Sequence, residues 1–168
     1  MSAWRRQVLD LLPECRRIAE AAENPMALWI ELSGACQDAY ARQDEDLIRR
    51  FYEYARWCWK APSDEVRTAV ACAFYEHLPT TPAMRRDLPR RIGRAEFAEL
   101  RDVFRYHLSP DEAAVFDREF LEAKQRFFDA QPWLDVPVCR RSSPAAGGSQ
   151  HPPAIGSGVN ECEASVLR

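Results

Sequence analysis

A chain of 168 residues has room for one ordinary domain with a substantial core. Its formal net charge of −3 gives no electrostatic footprint for nucleic acid, and no stretch of about eighteen apolar residues offers a membrane span. Lysine occurs only at Lys60 and Lys124, so arginine carries the positive charge throughout.

In chain order, Ser2 to Glu23 reads as helix, with Val8, Leu9, Leu12, Cys15, Ile18, Ala19 and Ala22 inward. Pro13 removes a backbone donor inside it and predicts a kink, or two short helices meeting near Leu12. Asn24-Pro25 then supplies an N-cap and a first-turn proline. The next helix runs from about Pro25 to Arg42, presenting Leu28, Trp29, Leu32, Cys36, Ala39 and Tyr40 inward. Gly34 weakens it by about 1 kcal/mol relative to alanine, and close approach of a neighbouring helix is the expected reason.

A helical hairpin over Glu45–Leu78 is the centre of the expected fold. In its first arm Leu47, Ile48, Phe51, Tyr54, Ala55 and Cys58 recur at three-and-four spacing, opposite Arg49, Arg50, Glu53, Arg56 and Lys60. Asp44 is the N-cap, and Ala61-Pro62 stops the arm. Ser63 caps the second arm, whose stripe is Val66, Ala69, Val70, Ala73, Phe74 and His77. Thr80 to Arg94, broken by Pro82, Pro89 and Gly93, supports at most a short helix from Pro82 to Leu88.

One further helix from Ala95 to Leu108 presents Phe97, Leu100, Phe104 and Leu108. Ser109-Pro110-Asp111-Glu112 is a capping box that starts the last helix, whose inner face is Ala113, Phe116, Phe120, Ala123 and Phe127. The expected architecture is therefore an all-α, single-domain bundle of about six or seven helices over residues 1–137. Residues 138–168, rich in Ser, Pro and Gly, are expected to be a disordered tail, and Cys139, His151 and Cys162 fall in it.

Cys15, Cys36, Cys58 and Cys72 lie inside predicted helices with no Cys-x-x-Cys pair, so they are expected to be reduced, small hydrophobes. With no apolar core of a signal peptide after Met1, a cytoplasmic location is the default.

Chemistry has few candidates. Phe74-Tyr75-Glu76-His77-Leu78 and Phe104-Arg105-Tyr106-His107-Leu108 echo each other, each with a histidine before a proline-containing turn. Two histidines and a carboxylate suit zinc binding or acid–base work, which makes a small metal-dependent hydrolase using Glu76, His77 and His107 the alternative reading. No His-Glu-x-x-His, nucleophile elbow or phosphate loop supports it. A structural role competes, because His77 falls on the apolar stripe of its arm and reads as a core histidine.

Surface recognition has more. Trp57 and Tyr75 fall off the stripes and could anchor an interface together with Glu76. Arg85, Arg86, Arg90, Arg91 and Arg94 form the one dense basic cluster, suited to an anion or acidic partner, or else to pairing with acids of neighbouring helices. The leading expectation is a non-enzymatic helical domain that binds another protein, as an immunity-type or regulatory partner, with no cofactor, nucleic acid or membrane involved.

The segments Phe51-Tyr52-Glu53-Tyr54-Ala55-Arg56-Trp57-Cys58 and Ala71-Cys72-Ala73-Phe74-Tyr75-Glu76-His77-Leu78, with Phe104 to Leu108, resemble a family of small bacterial all-helical proteins of unknown function. The resemblance spans residues 25 to 110; it implies the fold class and a bacterial origin and brings no catalytic residues. Asp64-Glu65-Val66-Arg67-Thr68-Ala69-Val70 is similar to the inner helix of HEAT-type repeats, which implies a helical-hairpin packing style from the single unit readable.

Overall fold

The structure, a computed structural model, describes residues 1–129. The expected boundary at residue 137, the tail from 138 to 168, and Cys139, His151 and Cys162 lie outside the described residues. Nine α-helices and no strand occur among those described, so the fold is all-α. The count exceeds the expected six or seven because two predicted helices are each divided.

Proline makes the first division. α1 (Ala3–Leu11) ends before Pro13, a 3-10 turn spans Pro13–Cys15, and α2 (Arg16–Ala21) follows. Arg5 reaches from α1 to the far end of α2, where its Nε donates to the Ala19 carbonyl at 3.1 Å and its Nη2 to that of Ala22. Those carbonyls have no intrahelical partner, so the guanidinium closes a helix end that would otherwise be unsatisfied.

α3 (Pro25–Ala41) begins on Asn24, whose side chain accepts from the Ala27 N–H at 2.9 Å. Leu28, Trp29, Leu32, Cys36 and Ala39 are completely buried on it. α3 packs chiefly on α5 (Asp64–Ala73) and also on α4 (Glu45–Trp59), so the expected hairpin is closed by a third helix. The turn into α4 runs through Gln43, whose φ of 56° is left-handed; Asp44 then caps α4 by accepting from Leu47 N–H at 3.1 Å. Ser63 does the same for α5, from Val66 N–H at 3.4 Å. Seven side chains of α4 are buried, and each large apolar one removed from water contributes about 1.5–3 kcal/mol before entropy is set against it.

Gly34 is not a site of close approach. A Cβ built there meets no atom within 4 Å, so the expected reason for the glycine does not hold. Gly34→Ala should therefore raise stability by about 1 kcal/mol through helix propensity alone, read from the midpoint of urea unfolding. A fall in the midpoint would mean that the backbone there needs glycine.

The second arm stops earlier than predicted. α5 ends at Ala73, Phe74 leaves helical geometry (φ −130°, ψ −65°), and a 3-10 turn covers Tyr75–His77. In a continuing helix the Ala73 carbonyl would accept from the His77 N–H. Instead the Ser33 hydroxyl of α3 donates to it, and His77 N–H bonds to Phe74 O at 3.1 Å. A side chain forty positions away thus takes up the carbonyl that the break leaves free.

α6 (Pro82–Arg91) is longer than the expected Pro82–Leu88 and carries Pro89 inside it. Pro89 and Leu88 are both buried, so packing outweighs the lost backbone bond. The predicted helix from Ala95 to Leu108 is divided at Leu100 into α7 (Arg94–Glu99) and α8 (Arg101–Phe104). α9 (Pro110–Asp129) starts on the expected capping box: Ser109 N–H donates to Glu112 Oε2 at 2.8 Å, and Glu112 N–H to Ser109 Oγ at 3.4 Å. Ala113, Phe116 and Phe120 are buried on it, whereas Phe127, expected inward, is 39 % exposed.

Cys15, Cys36 and Cys58 are buried free thiols, and Cys72 is half-buried and also free. Burial pushes Cys36 up to about 12 and Cys58 up to about 11. No helix among the described residues is long and apolar enough to cross a membrane.

Candidate functional site

The early end of α5 exchanges the roles of two sequence-predicted residues. On a continuous helix Tyr75 would face out and His77 in. Through the break at Phe74 the opposite holds: Tyr75 is completely buried and His77 is exposed. Tyr75 packs edge-on to Trp59 (6.1 Å between ring centroids) and Phe104 (6.2 Å), so it cannot anchor a partner. Its hydroxyl is buried with no hydrogen-bond partner. Tyr75→Phe should leave stability unchanged or raise it by about 1 kcal/mol, since the only atom lost is an unpaired polar one. A loss larger than that in a denaturant titration would show that the hydroxyl has a partner in solution.

Trp57 is half-buried and nearly parallel to Tyr54, at 6.2 Å and 9°. It is therefore partly spent on packing, leaving one edge to solvent. The expectation of a core His77 is corrected for the reason just given.

Exposure brings His77 to His107. Their rings stack at 5.2 Å and 18°, and Tyr106, 72 % exposed, meets His107 edge-on at 5.0 Å. The two echoing segments lie against each other because the 3-10 turn after α5 packs on α8. Glu76 Oε2 lies 3.3 Å from His107 Nε2, so the carboxylate can accept a hydrogen bond from that nitrogen when it carries a proton. Burial and then the neighbouring Glu76 raise the Cys72 thiol, which makes it a poor nucleophile. Among the described residues no group of three His, Cys, Asp or Glu side chains is disposed to hold a metal ion. Both imidazoles of the cluster are exposed, while the Glu76 side chain is largely buried.

The arginine cluster divides by partner. Arg85 pairs with Glu119 of α9 at 2.7 Å, Arg94 donates to Gln125 at 3.1 Å, and Arg91, largely buried, binds both Asp87 and Glu45. Asp87 also accepts from the Tyr40 hydroxyl at 3.0 Å, and burial lifts that phenol well above its ordinary range, so it stays a neutral donor. These arginines are structural ties between helices.

Arg86 and Arg90 are different. They stand one turn apart on α6, exposed, and neither has a carboxylate partner among the described residues. Arg90 lies over the Phe127 ring, 5.4 Å from its centroid. Across from them on α9, Arg126 is likewise exposed and pairs with no acid whose side chain is described. The three line a groove of about 1040 Å³ whose apolar floor is Ile48, Ala83, Ala123 and Phe127. Arg86, Ala123 and Arg126 also border a smaller groove of about 380 Å³ over Pro89, Phe116 and Phe120. The acids around the two grooves are already engaged, Glu45 and Asp87 by Arg91 and Glu119 by Arg85. Arg126 and Phe127 were not among the sequence candidates; the one signal for them was an arginine-aromatic pair late in the last helix.

Such a molecule is a small all-α domain with an arginine-walled surface groove and a separate exposed histidine cluster. Residues 5–110 match a family model described as "Domain of unknown function (DUF7674)", more than half the chain, and the protein belongs to that family. The match takes in most of α1, then α2 to α8 and the arginines of α6, while Arg126 and Phe127 lie beyond it. No curated protein and no solved structure matches the chain.

Proposed function

We propose that this is a non-enzymatic protein-binding domain, of the immunity or regulatory kind, whose docking face is the groove between α6 and α9. The observation that carries it is the convergence of Arg86, Arg90 and Arg126 on an apolar floor without carboxylate partners among the described residues, beside arginines that are all paired. Guanidinium groups left unpaired over apolar surface suit recognition, because arginine and aromatic side chains dominate interface energetics. A bacterial cytoplasm is the setting we propose, supported by the buried reduced thiols Cys15, Cys36 and Cys58.

The test is a selection of binders from a random displayed library on the full chain, followed by a hydrogen-exchange footprint of each complex. Protection of α6 and α9, with binding weakened at least tenfold in Arg86→Glu/Arg90→Glu, supports the reading. Footprints confined to the Trp57 edge or the histidine cluster, with binding untouched by charge reversal, would remove the groove from the account.

A metal-dependent hydrolase working through Glu76, His77 and His107 is the second reading, favoured by the meeting of these three side chains. It ranks below because both imidazoles are exposed and, among the described residues, no three donors are disposed around a metal. A rise in thermal stability on zinc addition, abolished by His77→Ala, together with turnover lost in the same folded variant, would bring it forward.

A further inference from the structure

We infer that the occupant of this groove is an extended acidic peptide segment carrying an acid-x-acid pair next to an apolar side chain; this rests on the groove being the docking face. Three observations set the chemistry. First, the charge left over at the groove is positive: Arg86 and Arg90 on one wall and Arg126 on the other pair with no acid whose side chain is described, whereas Glu45, Asp87 and Glu119 are each bound by another arginine. An acidic ligand gains these guanidinium groups without first breaking an ion pair, while a basic ligand would face uncompensated like charge.

Second, spacing points to an extended segment. Side chains at i and i+4 of a helix stand about 6 Å apart, as Arg86 and Arg90 do on α6. Alternate residues of an extended chain point the same way at about 6.6 Å, so carboxylates at i and i+2 match the pair, one per guanidinium. Carboxylates on a helical ligand would match at i and i+4 instead, but a ligand helix has a diameter of about 10 Å with side chains and would have to fit between α6 and α9 beside Arg126.

Third, the floor is apolar. Ile48, Ala83 and Ala123 lie between the two basic walls, a place for one aliphatic or aromatic side chain of the ligand. The guanidinium of Arg90 is held by the Phe127 ring and not by a carboxylate, so its donors are oriented while remaining available for a bidentate bond.

The experiment is fluorescence anisotropy on the full chain with synthetic labelled dodecapeptides. One carries a Glu-x-Glu pair flanked by Phe, a second replaces both Glu by Gln, a third replaces Phe by Ala, and a fourth spaces the two Glu at i and i+4. The first should bind at least tenfold tighter than the second and several-fold tighter than the third and fourth. It should weaken at least tenfold in Arg86→Glu/Arg90→Glu and in Arg126→Glu, and again between 50 and 500 mM salt, over which the Debye length shortens about threefold. Equal binding of the Glu and Gln peptides, both still lost in the arginine variants, overturns the acidic partner and leaves the docking face standing. Binding of the first peptide unchanged by either variant overturns the groove as the site for both. Displacement of the peptide by millimolar inorganic phosphate at constant ionic strength would overturn the carboxylate assignment in favour of a phosphoryl ligand.

Discussion

Trp29→Ala should destabilise the domain by about 3–5 kcal/mol, a large part of the roughly 5–15 kcal/mol that holds a domain of this size together. Trp29 is completely buried on α3, stacked on Tyr54 of α4 at 5.1 Å and 16° and tilted against Phe74 at 5.1 Å. The side chain therefore joins α3, α4 and the point where α5 breaks. Truncation opens a cavity lined by two aromatic rings that cannot collapse together, because Tyr54 is tied by its hydroxyl to the Trp4 carbonyl at 3.1 Å. Trp29→Phe keeps much of the area and the ring contacts and should cost less than half as much. The check is urea unfolding of both variants. A loss of that size is enough to unfold a marginal domain outright, so the phenylalanine variant is the informative one: a cost equal to that of alanine would mean that ring stacking is not what this position provides.

The same position shows how much the sequence could say. Periodicity placed Trp29, Leu28, Leu32 and Cys36 inward, and the caps Asn24, Asp44, Ser63 and Ser109 marked helix starts that the structure confirms. These signals are local, carried within one turn of the residue concerned. What failed was non-local. At the break at Phe74 the freed Ala73 carbonyl is bonded by the Ser33 hydroxyl of another helix, and no spacing within α5 records it. That one error reversed Tyr75 and His77 together, since both were placed by extending a stripe past its true end. Pro89 was read as a stop, but burial keeps α6 helical beyond it.

For the candidate site the arginine segment itself was legible as composition, while its division was not. Arg85 and Arg91 find acids on α9 and α4, and only the packing of those helices could show that Arg86 and Arg90 do not. Phe127 counted as core because its spacing fits the stripe of Phe116 and Phe120, yet it is 39 % exposed and meets the Arg90 guanidinium of α6. The echo between the two histidine segments was visible, yet their contact follows from the 3-10 turn packing on α8, a tertiary fact.

The other large effect belongs to a buried carboxylate outside both sites. Asp117 of α9 is 8 % exposed and accepts from Arg101 Nη2 at 2.7 Å and from Arg105, all through Oδ2, while its Oδ1 has no partner. The arginines are far more exposed than the acid, 52 % and 35 % by side chain, so the ion pair is asymmetric. Remove the acid, and two guanidinium groups turn toward water at small cost. Remove both arginines, and a carboxylate stays buried without a counter-charge. Arg101→Ala/Arg105→Ala should therefore cost about 2–3 kcal/mol, below the usual 3–5 for breaking a buried pair because one side is half-solvated, whereas Asp117→Asn should cost about 1 kcal/mol. Adding Asp117→Asn to the double variant should recover most of the loss, which no account based on lost arginine packing allows. Unfolding midpoints for the single, double and triple variants decide it: a triple variant no more stable than the double would mean that the arginines act by covering α8 and α9, and that the charge of Asp117 is incidental.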